Sequence, residues 1–191
     1  MSEKKIHNPL VTKQIIKNAF LNLLNKKCYD QISVAELAKA ANINRVTFYS
    51  HYDNIATLMD EIESDLAGRI ISTMDGLFKT EKFHEATTNY FLDAFLSTPE
   101  VSIWFLNNKT TGKGASIIYE YAKSVCITEW KKYKRVSDEE LIRFFDFFYY
   151  GSMAYLKKWF TGEFNADAKE LRKEFIDITG HTVQYIFGHD V

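Results

Sequence analysis

SVAELAKAANINRVTFYSHY, residues 33–52, reads as two short helices around a tight turn. Ser33 is an N-cap residue type, and Glu36 three positions later is placed to complete a capping box. Val34, Leu37, Ala38 and Ala41 follow at i, i+3, i+4 and i+7, which gives one apolar face. Asn42 stands where the chain must turn, and Asn tolerates a left-handed backbone better than other non-glycine residues. Asn44 is a suitable N-cap for a second helix from Arg45 to His51. Two short helices joined by such a turn form a helix-turn-helix, whose second helix enters a DNA major groove.

The residues of the second helix and those just after it carry a family signature. Thr47, Phe48, Tyr49, His51, Tyr52 and, six positions on, Leu58 resemble the motif of the tetracycline-repressor (TetR) family of bacterial regulators. The resemblance is specific over residues 11–62 and rests on length and helical pattern beyond them. It implies an all-α fold of about nine helices. A three-helix DNA-binding head would occupy 1–53 and a helical effector-binding and dimerisation domain 54–191. The chain departs from the family in two places. Ile55 replaces a lysine that contacts phosphate at the start of the next helix, and Asn42 replaces a turn glycine.

Composition agrees with an all-helical reading. The chain has 191 residues, 46% of them apolar, and only two prolines and eight glycines interrupt it. Cys28 and Cys126 are far apart with no metal-like spacing, and the expectation is two buried thiols in a reducing cytoplasm. Leu141–Phe160, the most apolar stretch, holds Arg143, Asp146, Lys157 and Lys158, which makes it a poor membrane span. Through Asp53 eight basic residues oppose four acidic ones, a net +4. The remaining 16 basic and 21 acidic residues leave −5. A basic head on an acidic body suits a polyanion at one end.

Along the chain, the spacing predicts helices over about 9–26, 54–77, 82–97, 115–133, 138–161 and 167–187, with a short one opening at Pro99. Ser137 and Glu140 form a second capping-box pattern before the fifth of these. The segment NNKTTGKG at 107–114 is the clearest loop. It lacks the full phosphate-loop pattern and no strand precedes it, so no nucleotide cofactor is expected. The five histidines are scattered and make no H-E-x-x-H, and no G-x-S-x-G is present, so no metal and no catalytic set are expected.

Three groups of candidate residues follow. The DNA-facing group is Asn44, Arg45, Thr47, Tyr49, Ser50 and His51, with Ser33 and Lys13 beside them. Arg pairs bidentately with guanine and Asn with adenine, and hydroxyls suit phosphate. His51 either faces DNA or caps its helix, and Lys13 either reaches phosphate or belongs to a solvated first turn. The second group is Tyr90, Trp104, Phe105, Tyr119, Phe144, Asp146, Phe147 and Phe148. These either line an effector cavity, as the resemblance implies, or fill the core. Asp146, an acid among aromatics, must meet a ligand, pair with Arg143 or a lysine, or face water. The third is Tyr150, Gly151, Ala154, Phe175, Ile178 and Val183 on the last two helices. The resemblance assigns these helices to a four-helix dimer interface.

The resulting expectation is a cytoplasmic homodimer that binds double-stranded DNA at a near-palindromic operator and responds to a small-molecule effector, most simply as a repressor, with no membrane association. A co-activator or protein-interaction module with weakened DNA binding is the alternative, motivated by Ile55 and Asp53. A small all-α enzyme is a third reading, and it lacks a nucleophile, a metal set or an acid/base pair.

Overall fold

The computed structural model describes residues 8–74, 89, 92–96, 112–133 and 136–187, the side chains of 73–74, 133 and 181–187 excepted. Every regular element among them is helical. The α-helices are α1 (Pro9–Leu24), α2 (Val34–Ala40), α3 (Arg45–Tyr49), α4 (Ile55–Met74), α5 (Lys113–Trp130), α6 (Asp138–Phe160) and α7 (Ala168–Phe187). A helical segment covers 92–96, and single 3-10 turns lie at Tyr29–Gln31 and Lys131–Tyr133.

The chain divides into two compact units, Met1–Glu63 and Ser64–Val191. The division falls inside α4, ten residues beyond the 53/54 boundary drawn from sequence, because buried Leu58, Met59 and Ile62 belong to the first unit. The shift also changes the charge argument. Asp60, Glu61 and Glu63 join the head, so eight basic residues now oppose seven acidic ones and the net falls to +1. Attraction of the head to a polyanion must therefore come from where its cations sit.

In the head, α1 starts at Pro9, whose missing N–H costs nothing at the first helical position. Asn8 Oδ1 caps it by accepting from the Leu10 amide at 3.0 Å. Ile16, Phe20, Leu37, Phe48 and Leu58 are fully buried. Each such side chain contributes about 1.5–3 kcal/mol by leaving water. The turn after α2 is closed by two backbone hydrogen bonds. The Asn42 N–H donates to Lys39 O at 3.2 Å, and the Ile43 N–H donates to Ala38 O at 2.9 Å. That pattern needs a left-handed residue at the first position beyond the cap. Asn42 supplies it with φ +53°.

The core of the body gathers Leu66 and Ile70 of α4, Leu92 and Phe95, Ile118 of α5, and Leu171 and Phe175 of α7. α6 contributes Leu141, Phe145, Tyr149, Met153 and Leu156, a stripe at spacings of three and four residues. At Ser137 the full capping box forms: Ser137 Oγ accepts from the Glu140 amide and the Glu140 carboxylate accepts from the Ser137 amide. Asp167 and Glu170 do the same for α7, which the sequence reading did not single out. Gly162, at φ +77°, ends α6 with the same double hydrogen bond that ends α2. Both cysteines are free. Both are expected to be buried: Cys126 is half-buried, with its thiol pushed up to about 12 by burial, and Cys28 departs from the expectation because it is exposed. Lys113 and Gly114, read as loop, form the first turn of α5. No helix among the described residues is long and apolar enough to cross a membrane.

Candidate nucleic-acid interface

α3 is only five residues long and is held by its caps and by one anchor. The anchor is Phe48, fully buried, with Tyr52 at 5.9 Å between ring centres. Asn44 caps the other end. Its Oδ1 accepts from the Thr47 amide at 2.7 Å and from the Thr47 hydroxyl at 3.0 Å. Both lone pairs of that oxygen are thereby used. The bidentate adenine contact expected of Asn44 needs Oδ1 as an acceptor, so it is lost while the cap holds, and only the Nδ2 donor remains. Thr47 has likewise spent its proton on Asn44, and the Ser50 hydroxyl donates to Thr47 O at 2.8 Å. The side chains of Arg45, Tyr49 and His51 have no hydrogen bond or ion pair to any described residue. Arg45 is exposed, Tyr49 is 55% exposed, and His51 is half-buried. With the Asn44 Nδ2 donor, these three side chains carry uncommitted polar groups among the DNA-facing candidates.

A shallow concavity runs between the start of α1 and α3, lined by Pro9, Thr12, Asn44, Val46, Thr47, Ser50 and His51. Val46 is 77% exposed, and the sequence reading passed over it because it favoured polar types. The signal that finds it is helical phase, since it precedes the buried Phe48 by two residues.

The neighbouring cations are less available than the sequence implied. Lys13 Nζ and Lys17 Nζ each lie 2.7 Å from the Glu61 carboxylate, and Lys13 also sits 5.2 Å from the centre of the Tyr52 ring. Desolvation pushes the Glu61 carboxyl up, and the hydrogen bonds and charges of both lysines outweigh it, holding the group below its usual value. Lys13 is therefore already paired. Ser33 Oγ accepts from the Glu36 amide at 3.2 Å, but the capping box closes on one side only. The Glu36 carboxylate turns instead to Lys27. Ile55 opens α4 half-buried, after Asn54 and Thr57 have exchanged cap hydrogen bonds at 3.0 and 3.2 Å.

Residues 16–62, which contain α2 and α3, match the family model described as bacterial regulatory proteins, tetR family. Residues 16–62 are thus similar to the DNA-binding region of TetR-family regulators. A curated relative is the HTH-type dhaKLM operon transcriptional activator DhaS of Lactococcus lactis subsp. lactis (strain IL1403), 37% identical over 67 residues. The match takes in 35% of this chain and only 36% of that relative's length. Among solved structures, the dihydroxyacetone kinase operon activator DhaS aligns over 93% of this chain and 99% of its own, with TM-score 0.64 and 19% identity. A regulator of the TerR/AcrR family from Aquifex aeolicus VF5 aligns over 89% and 98%, with TM-score 0.66 and 22% identity. The fatty acid degradation regulator FadR from Bacillus halodurans aligns over 92% and 96%, with TM-score 0.70 and 15% identity. At these identities the structural likeness concerns the fold.

In the body, the second candidate group separates. Tyr90, Trp104 and Phe105 lie outside the described residues. Phe144 packs on Trp130 at 5.2 Å and stacks with Phe148 at 6.2 Å. Asp146 finds a partner on α5 rather than a cation, because the Tyr119 hydroxyl donates to it at 2.6 Å. Arg143 pairs instead with Glu139, at 3.5 Å. The hydrogen bond to Asp146 raises the Tyr119 phenol above its ordinary value, and Lys123 donates to the same hydroxyl at 3.3 Å. Beside them the Tyr149 hydroxyl is buried with no hydrogen-bond partner among the described residues. Burial raises its phenol well above the ordinary value.

Phe147 is not a core or cavity residue of the single chain: it is 78% exposed. With Phe148, Gly151, Ser152, Tyr155, Phe175, Ile178 and Thr179 it lines an apolar groove of about 230 Å³ between α6 and α7. The cause is phase. Phe147, Tyr150, Gly151 and Ala154 share one stripe of α6, on the other side from Phe145 and Tyr149. Tyr150, Gly151, Ala154 and Ile178 of the third group are all exposed. Phe175 differs, since it is buried in the core at 3% exposure although it also lines the groove. The Val183 side chain lies outside the described residues.

Proposed function

We propose that this chain is a ligand-responsive repressor that binds a near-palindromic operator as a homodimer in the cytoplasm. The observation that carries the DNA-binding reading is the outer surface of α3. A helix anchored by Phe48 and capped by Asn44 leaves the Arg45, Tyr49 and His51 side chains uncommitted beside the concavity lined by Pro9, Thr12, Thr47 and Ser50. Two such helices, one per subunit, read two half-sites of a palindrome. Dimerisation is supported by the apolar outer stripe of α6 and α7, where small Gly151 and Ala154 allow close approach of another helix. An effector held in the body shifts operator affinity by the ratio of its affinities for the two states.

A second reading has its own observations. Lys13 is paired with Glu61, Ile55 supplies no charge, and the curated relative is by name an activator. On this reading the chain contacts other proteins through its body and holds DNA weakly. Gel-shift titration with the DNA upstream of the chain's own gene separates the two. Salt-sensitive, sequence-preferring retardation at micromolar protein supports the operator reading, and its absence refutes it. A promoter fused to the same segment then gives the sign of regulation.

A further inference from the structure

We infer that Val46 is a base-reading residue and that it reads the methyl group of thymine. The inference rests on the operator proposal above and names what the leading edge of α3 recognises.

The argument begins with phase. Successive helical residues are turned by about 100°, so Val46 lies about 200° from Phe48, and Ser50 lies on the same side one turn later. Phe48 marks the core direction because it is fully buried. Val46 and Ser50 therefore form the edge of α3 furthest from the head's core, with Arg45 and Tyr49 on one flank and Thr47 on the other. Whatever groove α3 enters, this edge enters first.

The chemistry of the edge is then informative. Ser50 Oγ donates to Thr47 O, which turns its proton back to the helix. Thr47 donates to Asn44. The foremost group is thus the isopropyl of Val46, at 77% exposure, and it makes no use of any head packing. A branched apolar group at the tip of a groove-reading helix has one apolar counterpart on a base edge, the thymine C5-methyl. Phosphates and the polar edges of the other bases offer it nothing. A second observation points the same way. Val46 lines the concavity together with Pro9 and the Thr12–Thr47 wall, so the surface around it is shaped and partly apolar, not an isolated side chain in open solvent.

The test uses the full-length dimer and a double-stranded site selected by it from a random pool. Each thymine in the half-site is replaced by deoxyuridine, which removes only the methyl. One symmetric position should weaken binding about fourfold per half-site, or about fifteenfold for the pair, the value of burying one methyl-sized group. Val46→Ala should bind the thymine and uracil sites alike, with unfolding temperature little changed because the side chain is 77% exposed. Wild-type binding that is indifferent to uracil at every position overturns the inference, as does a methyl dependence that survives in Val46→Ala. Failure to select any site overturns the operator proposal itself and is distinguishable from both.

Discussion

The outer edge of α3 and the outer stripe of α6 are both exposed, and they differ in what exposure costs. On α3 most polar groups are satisfied by one another: Asn44 by Thr47, Ser50 by the backbone. The rest are met by water. The head can therefore stand alone in solution, and DNA is an optional partner. On α6, Phe147 at 78% and Tyr150 at 62% exposure, with Ile178 of α7 at 57%, present ring and alkyl surface that water does not satisfy. A contiguous apolar surface of this kind needs a cover. The proposed dimer thus covers surface that water leaves unsatisfied, whereas the head is satisfied in water before any operator is bound.

Phe147→Asp should show the largest effect. It places a charge on the α6 stripe, converts the dimer to a folded monomer by sedimentation, and weakens operator binding at least about hundredfold through loss of the paired half-sites. A variant that stays dimeric removes the stripe from the interface. Arg45→Ala comes next. It should cost about 1–3 kcal/mol per half-site in specific binding with dimerisation intact. Retained operator preference would exclude Arg45 from base reading.

Glu61→Gln is the subtler probe of the head. Releasing Lys13 and Lys17 should tighten DNA binding a few-fold and steepen the salt dependence by about one unit per freed phosphate contact. An unchanged slope would show that the lysines do not reach the backbone. The same variant carries a pH signature. Glu61 is held below its usual 4.5, so its contribution to head stability is full above that value and is lost as pH falls through the lowered one. Chemical denaturation below pH 4.5 should show this decline in the wild type and a shallower one in Glu61→Gln. The smallest change belongs to the body. Tyr149→Phe deletes a buried hydroxyl without a partner among the described residues and should stabilise the protein by roughly 1 kcal/mol in the absence of effector. A loss of stability would mean that the hydroxyl has a partner in solution.

Local signals were the legible ones. Ser137 with Glu140, the turn at Asn42 and the cap at Asn44 are each written within four residues, and the structure forms all three. What needed the fold was longer in range. Lys13 and Glu61 are 48 residues apart, so nothing near Lys13 announces its pairing. The half-closed box at Ser33 has the same origin, since Lys27 comes from before the turn to claim Glu36. Phe147 was placed with Phe144 and Phe148 because α6 is apolar all round, and such a helix gives no phase from sequence alone. Asn44 shows a further limit. The residue type suits adenine and capping equally, and only the two hydrogen bonds to its Oδ1 reveal which role it fills.

The left-handed backbone at Asn42 has a consequence for how variation at this site is to be interpreted. Position 42 lies between the two helices of the reading head, where differences among related regulators invite explanation as changed DNA preference. Its side chain sits where φ is positive, and the backbone accepts Gly, Asn or Asp there far more readily than a β-branched residue. The amino acids tolerated at 42 are thus filtered by torsion angle before any base is met. A comparison of specificities that weighted this position would be measuring the geometry of a turn.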